Sequence, residues 1–107
     1  MSTVNSVAWA WPAEVLELAR KEGIEQYLEP LREAVHKVFP VVKGLRVVLS
    51  RDFDPPYGRF LTWEIDVPKT DVETYLALTD AWRQAERRIV PNAKGHLFFS
   101  SILPVKE

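Results

Sequence analysis

Two segments with alternating apolar residues constrain the fold of this chain more than any other feature. They share one period-2 pattern, in the order Leu45, Val47 and Leu49, then Leu61, Trp63, Ile65 and Val67. Alternation of this kind is typical of strands that bury one face. The loop between them, Asp52–Gly58, contains two prolines and one glycine. We therefore predict that the two strands form a β-hairpin with a wide loop.

Two helical patterns precede the hairpin. The first begins at Pro12 and ends at Gly23, which follows basic residues and is expected to form a left-handed cap. The second begins at Ile24 or Glu25, carries apolar residues at spacings of three and four, and ends before a proline at position 40. Pro30 lies late for a first-turn proline, so this helix either begins near Glu29 or bends at Pro30.

A third helix and a third strand follow the hairpin. Thr70 and Glu73 match the capping box, which predicts a helix from Asp71 to Val90. Its predicted buried face contains Val72, Tyr75, Leu78, Thr79, Trp82 and Ile89. The segment from His96 to Leu103 is predicted to be a strand. Apolar residues occupy both its odd and its even positions, so we expect that it cannot face open water on one side.

The order helix, helix, strand, strand, helix, strand predicts an α+β fold in a single domain, 1–107, with residues 1–8 flexible. A right-handed crossover makes the last strand parallel to the second. We expect a mostly antiparallel three-stranded sheet in the order 2-1-3, with the helices packed on one face. Such a sheet leaves its other face uncovered.

Composition excludes several function classes. The 107-residue chain has no cysteine, which excludes disulfides and thiol chemistry, and a formal net charge of −1, which disfavours nucleic-acid binding. Neither a signal sequence nor a membrane span is recognised, so a cytoplasmic protein without a membrane partner is expected. Asn and Gln occur twice each, Met once and Pro eight times, a usage typical of thermophile proteins.

The titratable residues form no catalytic, metal or phosphate motif. His36 and His96 have no ligand-like neighbours, and Ser100 and Ser101 lack the G-x-S-x-G setting. Asp52 and Asp54 resemble the start of a calcium loop, but prolines occupy the positions of further ligands. Glu64 and Asp66 are interpreted as the solvated side of a strand, and the arginines of the third helix as a solvated face or an interaction surface. We predict no catalytic residue, no metal and no cofactor.

The aromatic residues are more informative. Trp63 and Trp82 fall on predicted core faces. Trp9 and Trp11 either cover the free sheet face or join Phe60 and Phe98 in an apolar patch that a partner buries. The candidate interaction surface consists of Trp9, Trp11, Asp52, Asp54, Tyr57, Arg59, Phe60 and Phe98.

The chain also resembles small uncharacterised bacterial proteins over nearly its whole length. The resemblance is carried by Ala-Arg-x-x-Gly-Ile at 19–24, Tyr27-Leu28, Phe39-Pro40, Asp-x-Asp-Pro at 52–55, Val67-Pro68 and Trp82. It implies no activity, cofactor or functional residue. Some of those proteins are encoded in two-gene operons that look like toxin and antitoxin pairs, which implies a protein partner.

Three functions are considered. The favoured one is a non-enzymatic module that forms a homodimer or binds a partner protein through the free sheet face or an edge strand. The alternative is a small-molecule binder or small enzyme with a pocket between the hairpin loop and the third helix. That pocket would use Asp52, Asp54, Tyr57, Arg59 or His96. Nucleic-acid binding is the third and least supported function.

Overall fold

The computed structural model describes residues 10–52 and 58–105 and has the predicted α+β architecture. The helices are α1 (Ala13–Glu22), α2 (Leu28–Val38) and α3 (Val72–Ile89), and the strands are β1 (Gly44–Arg51), β2 (Arg59–Pro68) and β3 (Phe98–Val105). Two 3₁₀ segments, Glu25–Tyr27 and Asn92–Leu97, precede α2 and β3. None of the described helices is long and apolar enough to cross a membrane.

The strands form a mixed sheet in the order β1-β2-β3. β1 and β2 are antiparallel, with Leu49 opposite Leu61, whereas β2 and β3 are parallel, with Ile65 opposite Ile102. The predicted direction of β3 is confirmed. The predicted order 2-1-3 is wrong, because the crossover through α3 returns the chain beside β2. Consequently one of the two strand pairings is parallel, and the sheet is mixed rather than mostly antiparallel.

The boundaries of α1 and α2 follow from glycine and proline. Gly23 has φ +73° and ends α1 as predicted, and the backbone N–H of Ile24 reaches the carbonyl of Ala19 at 2.8 Å. Since α2 begins at Leu28, Pro30 lies in its first turn, where a missing N–H costs no helical hydrogen bond. The first of the two alternatives for Pro30 is therefore confirmed.

The start of α3 differs from the prediction. Its N-cap is Asp71, whose carboxylate accepts hydrogen bonds from the Thr74 backbone N–H at 3.1 Å and the Thr74 hydroxyl at 2.7 Å. The predicted capping box of Thr70 and Glu73 is therefore wrong. A carboxylate one position later is a strong N-cap acceptor and also complements the positive end of the helix dipole.

The start of β3 also differs. His96 belongs to the 3₁₀ segment after Pro91, and the strand begins at Phe98. The expectation that β3 cannot face water on one side is wrong as well. Phe99 is 57% exposed and Leu103 is 48% exposed, both on the face away from the helices.

The core lies between the sheet and the helices. Its largest fully buried side chains are Trp63, Trp82, Phe39, Ile24, Leu28, Leu31, Leu61, Ile65, Val15 and Val35. Trp63 and Trp82 are buried as predicted, with ring centroids 6.5 Å apart. Val72 was expected on the same face but is exposed, because ten residues at about 100° each place it about 80° away from Trp82 around the helix axis.

Buried residues of all three helices share one core cluster with Leu61 and Trp63 of β2, so the helices lie on the same side of the sheet. The Tyr75 hydroxyl donates to the Ile102 carbonyl oxygen at 2.8 Å, so α3 lies along β3. We call the opposite side the open face. Strand alternation and register assign to it Arg46, Val48, Ser50, Phe60, Thr62, Glu64, Asp66, Phe99, Ser101 and Leu103.

Candidate interaction surface

The open face carries an aromatic pair. The rings of Phe60 on β2 and Phe99 on β3 meet edge to face, with centroids 6.4 Å apart and planes at 76°. Phe60 is half-buried, while Phe99 stays mostly exposed. Val48, in line with Thr62 and Phe99 across the sheet, is also exposed. The open face therefore has an apolar region that extends to β3.

The β1 side of the open face is charged. Arg46 Nε donates to Glu64 at 2.9 Å, and its terminal nitrogens lie 3.3 and 3.4 Å from the Asp66 carboxylate oxygens. These hydrogen bonds, first to Glu64 and then to Asp66, raise the pKa of Arg46. Glu64 and Asp66 thus share one guanidinium across neighbouring strands. This arrangement supports their interpretation as the solvated side of a strand.

The two edges of the sheet differ in chemistry. β1 carries Arg46 and Arg51, and such charges commonly protect an edge strand from pairing with another chain. β3 has the sequence Phe-Phe-Ser-Ser-Ile-Leu-Pro-Val, which contains no charged residue, and its proline is the second-to-last residue of the strand. Over Phe98–Leu103 every residue retains a backbone N–H. β3 therefore lacks the charges and the central proline that commonly protect an edge strand, although its Ile102 carbonyl oxygen already accepts a hydrogen bond from the Tyr75 hydroxyl.

Helix α3 adds apolar residues beside this edge. Val72 is 70% exposed and Leu76 is 58% exposed. A helix turns by about 100° per residue, so Val72 lies about 60° and Leu76 about 100° from Tyr75 around the helix axis, both in the same direction. Ala85 lies on the other side of Tyr75 and is buried toward α2. Because Tyr75 contacts β3, Val72 and Leu76 lie on the flank of α3 beyond the sheet. We call β3 and this flank the β3 edge surface.

The structure separates the aromatic residues that the sequence grouped together. Trp11 packs edge to face on Trp63, with centroids 5.8 Å apart, and its Nε1 donates to Glu29 at 2.8 Å. Phe98 packs against the same core, on the side of the sheet that the helices cover. Phe60 lies on the open face. The expected patch of Trp11, Phe60 and Phe98 is therefore not formed, and Trp11 covers the core rather than the open face.

Of the remaining candidate residues, the described ones, Asp52 and Arg59, lie at the base of the hairpin loop. Trp9, Asp54 and Tyr57 lie outside the described residues. Asp52 is exposed, and its backbone N–H donates to the Gly58 carbonyl at 2.8 Å. Arg59 is half-buried opposite Arg51, where β2 begins. Within 10–52 and 58–105, no group of three or more His, Asp or Glu residues could hold a metal ion.

Three grooves on the described surface bear on the small-molecule alternative. The largest, about 310 Å³, lies between α2 and α3 and is lined by Pro30, Glu33, Ala34, Lys37, Val38, Ala85, Arg88 and Ile89. A second, of 210 Å³, lies where α2 ends and α3 begins, and a third, of 110 Å³, lies beside Glu86 and Phe98. None of these three is lined by Asp52, Arg59 or His96.

A partly buried polar link that sequence reasoning missed joins α3 to β3. Trp82 Nε1 donates to Ser100 Oγ at 2.9 Å, and Ser100 Oγ lies 3.5 Å from Glu86 Oε2. Burial raises the pKa of Glu86. The hydrogen bond from Ser100 and the charges of Arg83 and Arg87 act in the opposite direction, but their effect is smaller. One signal was visible in the sequence, since Glu86 lies one turn after Trp82, at the border of the buried face.

The chain matches no protein-family model, no curated protein and no solved structure. The feature with the most distinctive chemistry is the β3 edge surface, where an uncharged edge strand adjoins exposed apolar side chains from two elements.

Proposed function

We propose that this protein is a non-catalytic interaction module that forms a homodimer through the β3 edge surface. The observation that carries the proposal is the exposure of Phe99 and Leu103 on an edge strand without charges. Apolar side chains that border an unpaired strand edge favour association, because burial removes apolar area from water while the edge gains backbone hydrogen bonds.

The distribution of exposed apolar residues supports this surface over others. Among the described residues, the large exposed apolar side chains are Val41, Val48, Val72, Leu76, Phe99 and Leu103. Four of these six belong to α3 and β3 and adjoin the same strand edge. A partner at this edge would cover them together, whereas Val41 lies apart, after the end of α2.

Two further parts of the proposal rest on sequence. A cytoplasmic location, the expectation stated above, is one part. The resemblance to bacterial proteins of two-gene operons suggests a second gene product as another partner for the same surface. Self-association is the version that the surface chemistry favours, because β3 can pair with a second copy of itself without bringing charges together.

Light scattering coupled to size-exclusion chromatography tests the proposal. The wild-type chain should have about twice its monomer mass of 12.3 kDa over a wide range of concentrations. The double variant Phe99→Ser, Leu103→Ser should shift to the monomer mass while keeping its far-ultraviolet circular dichroism. Val41→Ser, an equally exposed apolar position away from β3, is the matched control and should remain dimeric.

A wild-type mass of one chain at all concentrations would contradict the proposal. Dimers that persist in the double variant but dissociate in Val41→Ser would move the interface away from β3, which also contradicts it.

A further inference from the structure

The geometry points to a specific mode of self-association, which rests on the proposed homodimer. We infer that two copies join by antiparallel pairing of their β3 strands about a two-fold axis at Ser101. The two three-stranded sheets then form one continuous six-stranded sheet, with both α3 helices on the same side. The partner is a second copy of this chain, and the interface is isologous.

The choice of β3 over β1 follows from charge. In an antiparallel pair the side chains of directly opposed residues are close, so like charges opposite one another are unfavourable. Arg46 and Arg51 of β1 would bring four guanidinium groups into one strand pair. β3 brings none, because its residues are all uncharged. Pro104 limits the pairing at one end of the strand but leaves the donors of Phe98–Leu103 intact.

The register follows from the positions of the two exposed apolar residues. Phe99 and Leu103 lie at equal distances along the strand on either side of Ser101, and all three are on the open face. With the two-fold axis at Ser101, each Phe99 lies directly opposite Leu103 of the second copy. An axis at Ser100 would instead place Phe99 opposite Ser101, and an axis at Ile102 would place it opposite Val105.

The pairing about Ser101 is therefore the one that buries both exposed side chains against each other. The two apolar pairs would lie on either side of a small central pair, Ser101 with its counterpart, which leaves room for the larger side chains. Opposed side chains of this kind have Cβ atoms about 5 Å apart, within contact distance for Phe and Leu.

Helix α3 is complementary to itself in the same arrangement. Tyr75 contacts Ile102 and Trp82 contacts Ser100, so the level of Ser101 on α3 lies between these two helical residues, near Thr79. The two-fold axis then makes the two α3 helices antiparallel, with the turn of Leu76 facing the turn of Arg83 of the second copy.

Charge along α3 agrees with that direction. The exposed residue Glu73 lies in the first turn, whereas the exposed residue Arg87 lies in the last turn. With the axis near Thr79, antiparallel helices bring Glu73 within one helical turn of Arg87 of the second copy at both ends of the pair. The apolar stems of Arg83 and Arg87 would cover Val72 and Leu76. Parallel helices would instead place like charges side by side.

A single-cysteine experiment tests the register directly, since the chain contains no cysteine of its own. In Ser101→Cys the two thiols would face each other across the two-fold axis. Opposed residues in an antiparallel pair have Cα atoms about 4.5–5.5 Å apart, within the range that a disulfide spans. We expect most of the protein to run as a covalent dimer on a non-reducing gel after mild oxidation. The matched control is Ser50→Cys, an equally half-buried serine on β1, which should stay monomeric on the gel.

A second measurement does not depend on Ser101. In Phe99→Cys alone, the two thiols would lie four residues apart along the paired strands, too far for a disulfide. Phe99→Cys mixed with Leu103→Cys should form a mixed disulfide, because these positions are opposed. Each variant alone should form much less.

The outcomes separate the two proposals. A wild-type monomer in light scattering contradicts both the homodimer and this register. A wild-type dimer in which Ser101→Cys and the mixed pair both fail to cross-link, although circular dichroism shows each to be folded, overturns the β3 register and leaves the homodimer standing. Cross-linking of Ser50→Cys in place of Ser101→Cys would assign the interface to β1 and would equally overturn the register.

Discussion

The indole Nε1 of Trp82 donates a hydrogen bond to the Ser100 hydroxyl across 2.9 Å, inside the contact between α3 and β3. Trp82 is only 1% exposed, whereas Ser100 is half-buried. The Ser100 hydroxyl in turn lies within 3.5 Å of Glu86, which links three side chains in one polar chain. A single serine thereby satisfies the one polar group of a large core residue.

Replacing that serine should destabilise the fold. Ser100→Ala leaves the Trp82 N–H buried without its acceptor, and we expect a loss of about 1–2 kcal/mol in the free energy of unfolding. Urea denaturation at one fixed protein concentration measures it. Ser101→Ala, the adjacent serine on the open face, is the control and should change the free energy by less than about 0.5 kcal/mol. Equal losses for both would show that the Trp82 hydrogen bond contributes nothing specific.

Glu86 should make stability depend on pH. Burial raises its pKa in the folded state above the ordinary value of 4.5, so the folded state binds a proton more readily than the unfolded state. This carboxyl therefore lowers stability as pH rises from the unfolded pKa through the folded pKa. Because the side chain is partly solvated, Glu86→Gln should raise the melting temperature at pH 7 by only about 1–3 °C.

The difference between Glu86→Gln and the wild type should disappear at a pH below the unfolded pKa, where Glu86 is protonated in both states. Thermal melts at pH 7 and at pH 3.5 provide the comparison. A gain that is equally large at both pH values would mean that the charge of Glu86 is not its cause.

Neighbouring valines of β1 test which face of the sheet is the core. Val47 is 3% exposed and Val48 is 36% exposed. Val47→Ala should therefore cost about 2 kcal/mol through lost burial and a cavity, and Val48→Ala less than about 1 kcal/mol. Chemical denaturation of the two variants measures both costs. A larger loss for Val48→Ala would mean that the open face is the buried one.

The helix cap offers a prediction that separates two adjacent residues. Asp71→Ala removes the acceptor of two hydrogen bonds from Thr74 and should lower the melting temperature by a few degrees. Thr70→Ala should have a smaller effect, because Thr70 is not the N-cap. The hydrogen bonds that Asp71 accepts from Thr74, first from its side chain and then from its backbone, lower the pKa of Asp71. The stability that this carboxylate contributes is therefore present above its ordinary pKa of 3.8 and is lost as pH falls through the pKa of the folded state.

Thermal melts of the two variants provide the comparison. A larger decrease in melting temperature for Thr70→Ala than for Asp71→Ala would support the capping box of Thr70 and Glu73 instead.

The elements could be predicted because their signals are local. Alternation sets β1 and β2, and Gly23 sets the end of α1. The sequence around Pro30 is compatible both with a helix that begins near Glu29 and with a longer helix that bends at Pro30. Only the preceding 3₁₀ turn decides between these two alternatives. The strand order was mispredicted because it depends on which edge of the hairpin receives β3, a choice that alternation within a strand does not encode.

The interaction surface was only partly predicted, for a similar reason. Phe60 belongs to the predicted candidate interaction surface, and it does lie on the open face. Its neighbour Phe99 was missed, because pairing between β2 and β3 brings together residues far apart in sequence. Trp11 was assigned to the surface because the sequence around it does not predict its packing on Trp63. Periodicity within one segment cannot predict contacts that depend on the topology of the fold.

The cluster of Trp11, Trp63 and Trp82 has an optical consequence. Trp63 lies 5.8 Å from Trp11 and 6.5 Å from Trp82, and these rings come from the segment before α1, from β2 and from α3. Indoles this close couple electronically and quench or transfer excitation among themselves. The near-ultraviolet spectrum of the folded chain therefore carries one signal to which three distant parts of the sequence contribute, so tertiary assembly can be followed without an added label.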